Sequence, residues 1–163
     1  MLASVVAYMV TGDQTLFRNQ VARRPFVYDP ATLDEVTVEK VMRGDPVTLN
    51  SGMTVAEARS ATAEEPHYLY PVVDPEGRVL GVVLREQLED HGGPGDLVET
   101  MMIRHFEKVR AGTSAYQAFE DMNQKQISRM LVVGHDDGIL LGTLTRIDLM
   151  EYLEHKDEEH RLY

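Results

Sequence analysis

The chain predicts an α/β (α+β) fold made of two β-α-β-β-α repeats related by a pseudo-twofold axis. Three observations carry that expectation: a stretch that recurs, a capped helix in each copy, and two apolar strands around a tight turn in each copy. "VLGVVLREQL", residues 79–88, and "LLGTLTRIDL", residues 140–149, share an apolar pair, a Gly, an Arg and a closing Leu. Upstream, "VEKVMRGDPVTLNSGMTVAEA" from Val38 is answered by "VETMMIRHFEKVRAGTSAYQA" from Val98, with Met42 on Met102, Leu49 on Val109 and Ala58 on Ala118. Repetition at this scale means that one supersecondary unit occurs twice and must bury its apolar face against its copy. "HGGPGD", residues 91–96, reads as the linker between them.

In chain order, Val47–Leu49 reads as a short strand. Thr54 with Glu57 forms a capping box that opens a helix running to about Ala63. "YLYPVV" and "VLGVV" follow as strands around an Asp-Pro-Glu-Gly turn, a hairpin pattern. In the second copy Ser114 and Gln117 repeat the capping box, and Ala115, Ala118, Phe119 and Met122 form an apolar helical stripe. Met130–Val133 and Ile139–Leu144 are its strands. A last helix from about Arg146 to His155 carries Ile147, Met150, Tyr152 and Leu153. The boundaries are therefore residues 1–35 outside the repeat, 36–92 and 93–156 for the two units, and 157–163 for a solvated acidic tail.

The length, 163 residues, suits one compact pair of repeats that buries about 70% of its unfolded surface. The net charge of −11 lacks the basic footprint of a nucleic-acid binder. With no cysteine, disulfides, thiolate metal sites and Cys nucleophiles are excluded. No nucleophile–base pair, metal cluster or phosphate-cradling Gly loop stands in a convincing context, so no enzyme, catalytic residue or metal site is expected. His155 and His160 suit neither one helix face nor a metal site, and His105 and His135 lie in loops with ordinary polar roles.

The ordered set M-x-x-x-P-x-x-L, capped helix, "PVVD" and Gly-x-x-Thr-x-x-Asp resembles the cystathionine-β-synthase (CBS) domain, present as a tandem pair over about residues 36–156. The resemblance implies a regulatory module that binds an adenine nucleotide (ATP, ADP or AMP) between the repeats and requires no cofactor. In that family the Asp of the last motif holds the ribose hydroxyls, and Asp148 occupies the position. Thr145 falls where a hydroxyl lies near ribose and phosphate. Arg129 falls where a basic residue faces phosphate, although Leu131 replaces the family's Pro. His67 and Tyr68 stand where some members place an aromatic against adenine, and Lys108 and Arg146 are candidate phosphate neighbours, with a solvated surface as the other reading of either. The chemistry is reasonable in itself, because a carboxylate accepts both bonds of a vicinal diol and an Arg fork matches phosphate. Leu84 and Gln87 replace the hydroxyl and carboxylate in the first copy, which predicts one competent site. A second reading stands beside this one: Thr145-x-x-Asp148 is also a capping-box pattern and needs no ligand.

"ASVVAYMVTGDQTLFRNQVARRP", residues 3–25, resembles the last membrane segments of the CLC chloride channel and transporter family, which precede cytoplasmic CBS pairs. The first ten residues, "MLASVVAYMV", are apolar except for Ser4 and cover about half a bilayer span. Phe17 falls on the position of the family's chloride-facing Tyr but has no hydroxyl to donate. Arg23 and Arg24 fit the basic bias of inner loops. The resemblance implies a regulatory domain at the cytoplasmic face of the cell membrane, joined to a CLC transport domain and homodimeric. The alternatives are a stand-alone energy sensor with an apolar lid, and a dimerisation scaffold with an empty cleft.

Overall fold

A computed structural model describes residues 30–135 and 138–161, with side chains from 32 to 156 over that span. The apolar N-terminal stretch, Phe17, Arg23 and Arg24 lie outside the described residues. Among those described, no helix is long and apolar enough to cross a membrane.

Each repeat builds the same parallel–antiparallel sheet. In the first, β2 (Leu49–Asn50) runs parallel to β3 (Leu69–Val73), and β3 runs antiparallel to β4 (Val79–Leu84). In the second, β5 (Lys108–Arg110) runs parallel to β6 (Arg129–Val133), and β6 runs antiparallel to β7 (Leu140–Thr145). The registers correspond, down to an irregularity at Val72/Val73 and again at Val132/Val133. A parallel pair needs a crossover, and the capped helices supply it: α3 (Val55–Thr62) in the first copy and α6 (Ala115–Gln124) in the second. Both strand pairs bury nearly continuous runs, Tyr70–Val73 and Met130–Val133, because helices cover them.

The Thr54–Glu57 capping box closes as expected, whereas at Ser114 only the bond from Gln117 N of the expected box is made. Thr54 Oγ1 accepts from Glu57 N, while Glu57 Oε2 accepts from Thr54 N at 2.8 Å. Ser114 Oγ accepts from Gln117 N at 3.2 Å and lies 3.1 Å from Asp34 Oδ1, to which it donates. That bond ties α6 to α1 (Pro30–Asp34), an element not foreseen from the sequence. The last helix, α7, spans Arg146–Arg161 and so continues past His155 into what was expected as a solvated tail. The reason is composition: "EHKDEEHR" holds neither Gly nor Pro and consists mostly of good helix formers, so nothing in it stops the helix.

Two short elements decide how the repeats meet. Helix α2 (Val38–Val41) and strand β1 (Arg43–Gly44) lead the first repeat, yet both dock on the second. Val38 N donates to Thr113 O and Ala115 N to Val36 O, each at 2.8 Å. β1 then pairs antiparallel with β7, Arg43 opposite Thr143 and Gly44 opposite Gly142. The second repeat returns the exchange through α5 (Val98–Met101). Val98 N donates to Met53 O and Val55 N to Asp96 O, each at 2.8 Å, and Ile103 bridges Val82. The cores record the same crossing: Leu33, Val38 and Val41 are buried with Met122, Leu144 and Leu149, while Val98 is buried with Leu49, Tyr70 and Leu88. Between the hairpin turns, Val79 N donates to Gly138 O and Leu140 N to Gly77 O, a further reciprocal pair near the pseudo-twofold axis.

The glycine common to the two quoted stretches has a steric explanation. A Cβ on Gly81 would sit 2.8 Å from Ile103 O, and one on Gly142 would meet Arg43 O and lie 2.9 Å from Met42 Sδ. Each glycine is the floor over which the other repeat's leading segment passes.

Gly142→Ala is expected to destabilise by about 1–3 kcal/mol through overpacking. Gly44→Ala, whose Cβ would meet nothing within 4 Å, should stay within about 0.5 kcal/mol; urea midpoints of the two variants check this. The Thr54 bonds hold the Glu57 carboxyl below its ordinary pKa, backbone bond first. A depressed folded pKa means that the unfolded chain binds more protons, so this contribution is present above the unfolded pKa and is lost as pH falls through the folded one. The melting-temperature margin of wild type over Glu57→Gln should therefore shrink on acidification.

Candidate functional site

A hollow of about 410 Å³ opens where the two repeats meet beside the start of α7. Three parts of the chain wall it. β1 and the turn after it contribute Arg43, Gly44, Asp45, Pro46 and Val47; the approach to β3 contributes Glu65, His67, Leu69 and Pro71; the second repeat contributes Arg129, Thr143, Thr145 and Ile147. The turn is bent by Asp45, whose φ of 50° is left-handed, a conformation that Asp tolerates better than most residues. The Tyr70 hydroxyl, which accepts from His67 N at 2.9 Å and donates to Glu65 O at 3.3 Å, fixes the approach to β3.

Asp148 lies behind Thr145, with its side chain only 4% exposed. Its Oδ2 accepts from Thr145 N at 2.8 Å and from Thr145 Oγ1 at 2.6 Å, while Asp148 N donates back to Thr145 Oγ1 at 3.2 Å. This is a closed capping box at the N-terminus of α7, where a carboxylate also complements the helix dipole. The other oxygen, Oδ1, accepts from Arg43 Nε at 2.5 Å. Arg43 also reaches Glu151 Oε2 at 3.3 Å, and its side chain is 65% exposed. The bond to Asp148, together with the two carboxylate charges, holds the Arg43 guanidinium above its ordinary pKa.

The residues singled out from sequence are therefore only partly assembled. Thr145, Arg129 and His67 face one hollow, with Asp148 one layer behind it. Tyr68 stands outside, 65% exposed, with the Arg129 guanidinium 5.2 Å from its ring. Lys108 lies on β5, at the opposite edge of the sheet from β1, with its ammonium over the Phe106 ring at 5.4 Å. Arg146 points away from the hollow and donates to Ile127 O at 2.9 Å and Met122 O at 3.4 Å, closing the end of α6.

Sequence reasoning missed Arg43, Asp45, Glu65 and Ile147. For Arg43 a signal existed inside the chain. The alignment that places Met42 on Met102 places Arg43 on Ile103, and the copy that lacks this Arg also lacks the Asp. In the first repeat Gln87 stands at the corresponding place, accepting from Leu84 N at 2.9 Å and donating to Met101 O at 3.4 Å. A neutral amide there caps α4 (Arg85–Asp90) without any charge.

Chemically, the hollow offers two guanidinium groups, the hydroxyls of Thr143 and Thr145, the carboxylates of Asp45 and Glu65, and apolar walls from Val47, Leu69, Pro71 and Ile147. Such a site suits an anionic ligand with a flat apolar part. Among the described residues no three His, Cys, Asp or Glu side chains converge as a metal site.

The CBS domain family profile matches residues 38–90 and 97–155. Among solved structures, the CBS domains of a transcriptional regulator from Streptococcus pneumoniae are 27% identical, with a TM-score of 0.62, over 72% of this chain and 99% of that one. The cytosolic domain of the Mg2+ channel MgtE, solved in complex with ATP, is 28% identical with a TM-score of 0.63 over 76% of this chain; the match spans 51% of that chain. The CBS domain of a bacterial CNNM/CorC family Mg2+ transporter, also in complex with ATP, shares the fold at 18% identity and a TM-score of 0.65, over 76% of this chain and 90% of that one.

Asp148→Ala should cost about 2 kcal/mol, since it opens the α7 cap and leaves the part-buried Thr145 N–H without its acceptor. Gln87→Ala should cost about 1 kcal/mol, having no carboxylate to lose. Chemical denaturation of both variants checks the order.

Proposed function

The chain belongs to the CBS domain family as a tandem pair, and from that premise we propose a regulatory module whose hollow beside Asp148 takes an adenine nucleotide. The single observation behind this reading is the meeting, on one wall, of the Thr145–Asp148 unit with the guanidinium groups of Arg43 and Arg129. In the proposed complex the ribose diol donates to Asp148 Oδ1, the phosphate takes the guanidinium groups, and the base lies on Leu69, Pro71 and Ile147 with His67 at the rim. That two of the similar structures were solved with ATP supports the ligand class. Tyr68 holds Arg129 from outside the hollow, and Lys108 has no part in this arrangement.

The attached activity is proposed on other grounds. Residues 3–25 resemble the end of a CLC-type membrane domain, and the module would then modulate chloride transport from the cytoplasmic face, as a homodimer with its transport domains. Ligand acts by its differential affinity for two arrangements of the repeats, and can shift transport by no more than that difference.

A second reading has an observation in its favour. Both oxygens of Asp148 already have protein partners, so the pair also suits a scaffold that binds nothing.

Calorimetry with ATP, ADP and AMP decides between them. Binding of at least one, weakened about tenfold or more (about 1.4 kcal/mol) by Asp148→Asn, is the expected result, with melting curves confirming that the variant is folded. No heat from any of the three leaves the scaffold. In membranes holding the full-length chain, the same substitution should abolish the response of chloride flux to nucleotide while basal flux persists.

A further inference from the structure

We propose that Arg43 makes the hollow select phosphorylated ligands over nucleosides, by occupying Asp148 until another anion takes its guanidinium. This inference rests on the adenine-nucleotide reading and adds to it a residue that the family motif does not contain.

The geometry places Arg43 in competition with a diol. Its Nε sits 2.5 Å from Asp148 Oδ1, and Oδ2 is committed to Thr145. The side chain of Asp148 is 4% exposed, and Arg43 holds the one carboxylate oxygen that Thr145 leaves to a ligand. Arg43 itself is 65% exposed and lines the hollow, so its guanidinium can swing away without disturbing the core. Its second acid contact, to Glu151 at 3.3 Å, is with a half-exposed carboxylate and is a weak anchor.

The other repeat indicates that this ion pair is not needed to build the fold. Ile103 and Gln87 stand at the corresponding places, and Gln87 caps α4 with neutral hydrogen bonds. A cation and a carboxylate are thus paired beside the hollow, whereas the corresponding positions, Ile103 and Gln87, carry neither.

The consequence for ligands follows from charge. A nucleoside diol displacing Arg43 exchanges a bond between two charged groups for bonds from neutral donors and leaves the guanidinium without its Asp148 partner, a net loss. A nucleotide brings a phosphate that receives the released guanidinium, bidentate and charge-assisted, beside Arg129. Discrimination therefore comes from what happens to Arg43 and not from the diol itself.

The test compares AMP with adenosine by calorimetry, in wild type, Arg43→Gln and Arg43→Lys, with melting curves for each. In wild type AMP should bind at least tenfold more tightly than adenosine. Arg43→Gln should bind adenosine more tightly and AMP more weakly, so that the ratio falls at least tenfold. Arg43→Lys keeps the charge but not the fork, and its ratio should lie between the two. A merely structural Arg43 would weaken both ligands alike, and an unchanged ratio in Arg43→Gln overturns the proposal while leaving the nucleotide site in place. If Arg43→Gln does not fold, a wild-type ratio in Arg43→Lys overturns it equally. No binding of AMP to wild type overturns this inference together with the nucleotide reading.

Discussion

The structure depends on two close crossings, each made over a glycine. The leading segment of the first repeat passes over Gly142, and that of the second passes over Gly81. A side chain at either position would hold the segment off the strand and remove the hydrogen bonds beneath it. With the crossings in place, each repeat receives apolar residues from the other, Val36, Val38 and Val41 in one direction and Val98 in the other. Fully burying such a side chain contributes about 1.5–3 kcal/mol, so neither half closes its core with its own residues alone. Tandem occurrence is thus a requirement of packing.

The hollow is a product of the same exchange. Strand β1 carries Arg43 to the second repeat and sets it against Asp148, while the turn at Asp45 brings the chain back to the first. The site is consequently assembled from residues remote in sequence: the Arg43–Asp148 contact closes a loop of over a hundred residues. Its charges are local and nearly balanced, with Arg43, Arg129, Asp45 and Glu65 all in its lining. That balance matters in a chain of net charge −11, because an anion approaching it meets a repulsive field until it reaches the two guanidinium groups.

Much of the fold was legible because local chemistry and tertiary need agreed. The repeat, the two crossover helices, the Thr54 cap and the glycine-bearing strands could be read from spacing alone, and the structure shows each near its expected position. The exchange of leading segments could not be read, since "VEKVM" and "VETMM" look alike and nothing in either says which core it enters. Arg43 was hidden for a related reason: its partner lies in the other repeat, and only the paired substitution of Ile103 and Gln87 hints at the link. The two readings left open for Thr145 and Asp148 are not exclusive in space. One oxygen of Asp148 makes the cap, and the other faces Arg43.

The reciprocal bonds of Val38 and Ala115 with Thr113 and Val36 also set how strain travels through the molecule. Whatever pulls on the chain ahead of Thr37 grips the far half first, because that is where the strap is fastened. Tension would arrive at the guanidinium within a few residues, bypassing the nearer half altogether. The module is thus wired like a drawbridge, its cable made fast on the opposite bank.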